Sequence, residues 1–89
     1  GPAIHPVAVR AVHDVYAAHP EIPIIGVGGV ARGVDAIELM MAGASAVQVG
    51  TASFADPRSI ARVQNEIQEW CSGHGVRSVS EVVGAVHAR

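Results

Sequence analysis

The sequence has 89 residues, a formal net charge of −2 and only six basic side chains, which excludes more than one small domain and leaves no electrostatic footprint for nucleic acid. Its composition is 49% hydrophobic against 16% charged, which excludes a disordered tail. No apolar run reaches the roughly eighteen residues of a membrane-spanning helix, no secretory leader is visible, and the single Cys71 excludes an internal disulfide or a CxxC site, so the expectation is a cytoplasmic α/β protein.

The first element is a helix. Ile4, Val7, Ala8, Ala11, Val12, Val15 and Tyr16 recur at helical spacing and form one apolar stripe. Pro6 suits an early helical position, and His19-Pro20 ends the helix because the residue before a proline is pushed out of the α region. The continuous apolar run Ile22–Val27 reads as a strand buried on both faces of a parallel sheet, running into Gly28-Gly29. A second helix covers Gly33 to Ala42, with Val34, Ile37 and Met41 on one face, Asp35 in its first turn and Gly43 as its stop. Ala46–Val49 is a second short strand, ending at Gly50-Thr51. Asp56 and Pro57 suit the cap and first position of a third helix, with Ile60, Val63, Ile67 and Trp70 as its face and Ser72-Gly73-His74-Gly75 as its end. The pattern Ser78-Val79-Ser80-Glu81 is a capping box opening a last short helix with Val82, Val83 and Val86.

Alternating strands and helices predict parallel strands joined by crossover helices. Two such strands cannot bury each other on every side. The chain therefore reads as part of a larger barrel, and Ile24 and Val47 or their neighbours are expected to meet water in its absence. Fifteen Ala and fifteen Val against one each of Trp, Tyr and Phe fit helices packed close to a sheet.

Two strand ends carry glycine, Gly26-Val27-Gly28-Gly29 and Val49-Gly50-Thr51. Glycine lets backbone amides approach a ligand and adopt positive φ, and amides at a helix start attract anions. The loops after strands 7 and 8 of a (β/α)₈ barrel form a recurrent phosphate site, in which the Thr51 hydroxyl can donate to a phosphate oxygen. The same glycines also serve a plain strand-to-helix turn, and the residues alone leave both readings open. A dinucleotide fingerprint is not completed, because Gly26 and Gly28 are followed by Ala31. His5, His13, His19, His74 and His87 have no metal-ligand spacing and no acidic cluster beside them, so they read as surface or cap residues. Cys71 has no base beside it and reads as a bystander thiol. Gln48 is expected to point into a barrel interior. Asp14, Glu21, Asp35, Glu38, Glu66, Glu69 and Glu81 read as solvated charge. No catalytic acid, base or nucleophile is evident.

Gly1-Pro2-Ala3-Ile4-His5-Pro6, Ile22-Pro23-Ile24-Ile25-Gly26-Val27-Gly28-Gly29-Val30 and Met41-Ala42-Gly43-Ala44-Ser45-Ala46-Val47-Gln48-Val49-Gly50-Thr51 resemble the C-terminal third of class 1 dihydroorotate dehydrogenases, the type B subgroup most closely. The resemblance covers essentially the whole chain. It implies that residues 1–89 are the C-terminal portion of an FMN-binding TIM barrel, strands 7 and 8 with flanking helices, incomplete on its own. It implies an oxidoreductase that converts dihydroorotate to orotate in pyrimidine biosynthesis, with a base taking a proton while hydride passes to the flavin. Position by position, the family's FMN contacts fall on Gly1, Gly28, Gly29, Gly50 and Thr51. The family's catalytic base and substrate asparagines match nothing here, so dihydroorotate and orotate are expected to bind through upstream residues and the segment alone to be inactive. Departures are His5, where the family usually has Lys, and Arg32, where a small cap such as Ser is common. The resemblance also implies a homodimer, or a heterotetramer with a subunit carrying FAD and an iron–sulfur cluster. The alternatives are another FMN-binding or phosphate-binding barrel similar to dihydropyrimidine dehydrogenase, and a non-catalytic half-barrel assembly module.

Overall fold

The computed structural model describes residues 4–49 and 58–87. In chain order they form α1 (His5–Ala18), β1 (Ile25–Val27), α2 (Gly33–Ala42), β2 (Ala46–Gln48), α3 (Arg58–Gly73) and two 3₁₀ turns, Val79–Val82 and Ala85–His87. The strands pair in parallel with Ile25 opposite Ala46, Gly26 opposite Val47 and Val27 opposite Gln48, and α2 makes the crossover that parallel pairing requires. Among the described residues no helix is long and apolar enough to cross a membrane.

The helix boundaries follow local chemistry. Pro6 sits in the first turn of α1, and His19 leaves helical geometry at φ −140° and ψ 68° just ahead of Pro20. Gly43 ends α2 at φ +136°, where its amide donates to the carbonyls of Leu39 and Met40. The ring of Tyr16 fills the space a Cβ at Gly43 would need, so this glycine both stops α2 and lets α1 pack against its end. His74 closes α3 through its Nδ1, 2.8 Å from the Trp70 carbonyl, with its ring stacked on Trp70 at 4.0 Å.

The expected single apolar face of α2 is corrected. Val34 is 52% exposed, while Ala36, Ile37, Leu39, Met40 and Ala42 are buried. The cause is position: α2 lies between two clusters and is covered on both sides. One cluster joins Val12, Val30, Ala36, Leu39, Ala42, Ala44 and Val63, and the other joins Ile37 and Met40 to Val82, with Ile67, Trp70 and Val79 packed against it. On α1 only His5 and Val12 are buried; Ile4, Val7 and Val15 of the expected stripe are exposed, as is Ile60 of α3. The proposed caps of α3, Asp56 and Pro57, lie outside the described residues.

The last element also differs from expectation. Ser78 and Glu81 make the anticipated capping contacts, with the Glu81 carboxylate accepting from the Ser78 amide at 2.8 Å. The segment is nevertheless two 3₁₀ turns, because Gly84 at φ +73° breaks it and donates its amide to the Met40 carbonyl at 2.8 Å.

The strands are shorter than the apolar runs, and they are not buried on both faces. Gly26 and Val47 face the helices: a Cβ on Gly26 would stand 3.1 Å from that of Ala44 and 3.3 Å from Leu39. On the opposite face Ile25 is 68% and Val27 54% exposed, with Ala46 and Gln48 exposed beside them. The chain's helices cover one side of the sheet, so every second strand residue is left bare. The larger exposure therefore falls on the neighbours of Ile24 and Val47, which are themselves half-buried.

Candidate functional site

Gly28 and Gly29 sit where β1 gives way to the loop before α2, with φ +133° and +68°. Side chains resist both values, and glycine does not. Gly28 has a packing reason as well. A Cβ at Gly28 would lie 2.8 Å from the Ala8 Cβ and 3.4 Å from Ile4 Cγ2, so close packing of α1 already forbids a side chain there. The Gly28 carbonyl oxygen is 2.9 Å from His5 Nδ1. Because that oxygen can only accept, Nδ1 carries the proton, and the loop is tied to the first residue of α1.

The start of α2 corrects one expectation. Its amides are not left for an anion. Asp35 Oδ2 accepts from the amides of Ala31 and Arg32, each at 3.0 Å, and Glu66 Oε1 accepts from the Gly33 amide at 2.7 Å. Arg32 in turn donates to Glu66 through Nε at 2.8 Å. The guanidinium of Arg32, and after it the Gly33 amide, hold the Glu66 carboxyl below the usual carboxylate range. Two carboxylates of the chain therefore satisfy the helix start, and the anion reading rests on the Gly28–Gly29 turn and the second loop. Neither Asp35 nor Glu66 is the solvated charge expected. Asp35 was visible as a first-turn acid; Glu66 comes from a different helix, and no local sequence signal ties it to Gly33.

Gly1, Gly50 and Thr51 lie outside the described residues. Gln48 lies on the bare face of the sheet. Cys71 is a partly buried free thiol. His87 docks the C-terminal turn, its Nε2 2.8 Å from the Ala42 carbonyl and its ring stacked on His13.

His5 overturns the reading of the histidines as surface or cap groups without acidic neighbours. It is 8% exposed, and its Nε2 lies 3.8 Å from Asp35 Oδ1 and 3.6 Å from Glu38 Oε1. Ligand spacing within one helix does not mark this group, because here the start of α1 meets one side of α2.

The described residues thus join a glycine turn at the carboxyl end of a parallel strand to a buried histidine beneath it. The family model for dihydroorotate dehydrogenase matches residues 1–71. The chain is 50% identical over 86 residues to the dihydroorotate dehydrogenase B (NAD(+)) catalytic subunit of Geobacter sp. strain M21, covering 97% of this chain and 28% of that protein. It is 46% identical over 86 residues to the subunit of the same name from Parabacteroides distasonis, with the same coverage. It therefore spans 28% of the length of these relatives. Among solved structures it resembles ligand-free DHODH from Eimeria tenella, with TM-score 0.92, 30% identity and coverage of 100% of this chain and 25% of that one. The ferulenol complex of the Eimeria tenella protein matches at TM-score 0.89 with 30% identity, over 96% of this chain and 23% of that one.

Proposed function

The chain belongs to the dihydroorotate dehydrogenase family, and from that premise we propose that residues 1–89 are the C-terminal portion of an FMN-binding barrel that oxidises dihydroorotate to orotate in pyrimidine biosynthesis. The observation that carries the assignment to this segment is the pair of positive-φ glycines, Gly28 and Gly29, at the carboxyl end of a parallel strand, where α/β folds bind their ligands. This turn fits a phosphate group: its two glycines take backbone conformations that side chains resist, and Gly29 brings no side chain to the ligand. FMN, when bound, supplies the hydride acceptor.

The work of this chain is positioning. Gly28 and Gly29 hold the cofactor phosphate together with Gly1, Gly50 and Thr51. His5 fixes the turn by donating to the Gly28 carbonyl. Asp35 and Glu66 saturate the start of α2 and make the loop's far end rigid. The bare face holding Ile25, Val27, Ala46 and Gln48 is filled by the remaining strands of the barrel. Catalytic base and substrate contacts come from those other strands. The relatives' designation as NAD(+)-type catalytic subunits supports NAD as electron acceptor and a separate partner subunit; that this subunit carries FAD and an iron–sulfur cluster rests on the family resemblance alone.

The test is anaerobic titration of the full-length flavoprotein. Heat-released flavin should be FMN, and dihydroorotate should bleach the bound flavin. A protein that holds no flavin, or whose flavin is reduced by dihydropyrimidines but not by dihydroorotate, refutes the assignment.

A further inference from the structure

We propose that His5, Asp35 and Glu38 form a binding site for a divalent transition-metal cation, of which zinc is the type, pinning the start of α1 to α2 beneath the Gly28–Gly29 turn. The site has three ligand atoms, all within 4.8 Å of one another. His5 supplies the observation that points to a ligand. Its side chain is 10% exposed, and its Nε2 is buried without a hydrogen-bond partner. Its other nitrogen, Nδ1, donates to the Gly28 carbonyl, so in the neutral ring Nε2 presents a lone pair. That lone pair faces two carboxylate oxygens, at 3.8 Å on Asp35 and 3.6 Å on Glu38. Three acceptors facing one another at these distances repel.

A proton on Nε2 would relieve the charge but not the geometry, because both oxygens lie beyond hydrogen-bond distance. A metal fits the two His5 distances, and small rotations of the half-exposed Glu38 would close the third. Ligands at about 2.0–2.2 Å from zinc stand about 3.3–3.8 Å from one another at ordinary coordination angles. The surroundings are those of a metal ligand. A coordinating imidazole commonly donates its second N–H to a backbone carbonyl, which fixes tautomer and ring orientation; His5 does so. Asp35 is held in place through its other oxygen, which accepts from the Ala31 and Arg32 amides. Asp35 and Glu38, three apart on α2, project from the same side. Glu38 is half exposed, leaving room for water to complete the shell. One imidazole with two carboxylates suits zinc or manganese over magnesium or calcium, which prefer oxygen alone.

The site needs no flavin, so its test reads separately from the proposed activity. Full-length protein, treated with chelator and freed of flavin, is dialysed against zinc chloride and its metal content measured, with magnesium chloride as comparison. The expected result is one zinc per chain, no stoichiometric magnesium, and a thermal midpoint that rises with zinc. Glu38→Gln should weaken zinc binding about tenfold or more, since even groups one step removed from a metal are worth about 10–100-fold. His5→Lys places an ammonium between the same carboxylates; it should lose zinc while still unfolding in one cooperative transition, so that metal loss is separated from unfolding. The proposal is overturned if the protein takes up no zinc, if His5→Lys binds zinc as tightly as the parent, or if acid alone raises the midpoint where zinc does not, which would make the occupant a proton.

Discussion

Replacing Gly28 by alanine tests whether the turn is as constrained as its geometry says. At φ +133° any side chain is strained, by about 1–3 kcal/mol. The new Cβ also stands 2.8 Å from the Ala8 Cβ, and overpacking of this kind costs about 1–3 kcal/mol. Reduced freedom of the unfolded chain returns about 0.4–1 kcal/mol, so the net loss is roughly 1–6 kcal/mol. Urea midpoints of the full-length protein measure it. The double variant with Ala8→Gly separates the terms: it removes the clash and keeps the strain, at a helix-propensity cost of about 1 kcal/mol. Because the Gly28 carbonyl also anchors His5, the single variant should release FMN faster on dialysis. A variant with an unchanged midpoint and full flavin content would refute both the strain argument and the phosphate role of the turn.

Gly43→Ala should be worse than Gly28→Ala, because its Cβ would enter the Tyr16 ring; its urea midpoint should fall below that of Gly28→Ala. Gly73→Ala is the control: nothing stands near its Cβ, and it should match or exceed parent stability in the same assay. Glu66 is acidified in the folded state by Arg32 and then by Gly33, so its contribution is present above the ordinary carboxylate range and fades as pH falls through and below it. Glu66→Gln should therefore destabilise the protein at neutral pH and flatten the acid side of its stability profile; parallel profiles for the two proteins would remove Glu66 from that role. The 89-residue chain on its own should not oxidise dihydroorotate. With Ile25 and Val27 bare and open strand edges beside them, it should also self-associate in sedimentation equilibrium. A monodisperse monomer with a sharp thermal transition would contradict the half-covered sheet.

The order of helices and strands was legible because it rests on local signals. Gly43, His19-Pro20 and the Ser78–Glu81 box act where they stand, and each ends or starts an element as its chemistry requires. What was not legible depends on partners far along the chain. The apolar run from Ile22 reads as a strand of six, yet pairing begins at Ile25, because ladder formation needs Ala46 opposite. Val7 and Val15 sit on a helical stripe but are exposed, because periodicity marks a face without saying what covers it. At the candidate site, Gly28 and Gly29 were readable as the glycine-rich end of a strand. Ala8 as the reason for Gly28, Glu66 at the start of α2 and the acidic neighbours of His5 all come from contacts between separate elements, which no spacing rule within one segment detects.

The central claim, that the Gly28–Gly29 turn holds a cofactor phosphate, is tested most directly by comparing FMN with riboflavin, which lacks the phosphate. The parent full-length protein should bind FMN far more tightly than riboflavin by fluorescence titration. Gly29→Ala, strained at φ +68°, should lose most of that preference while keeping its affinity for riboflavin. A Gly29→Ala protein that is folded and still prefers FMN by the parent's margin would place the phosphate elsewhere and contradict the account.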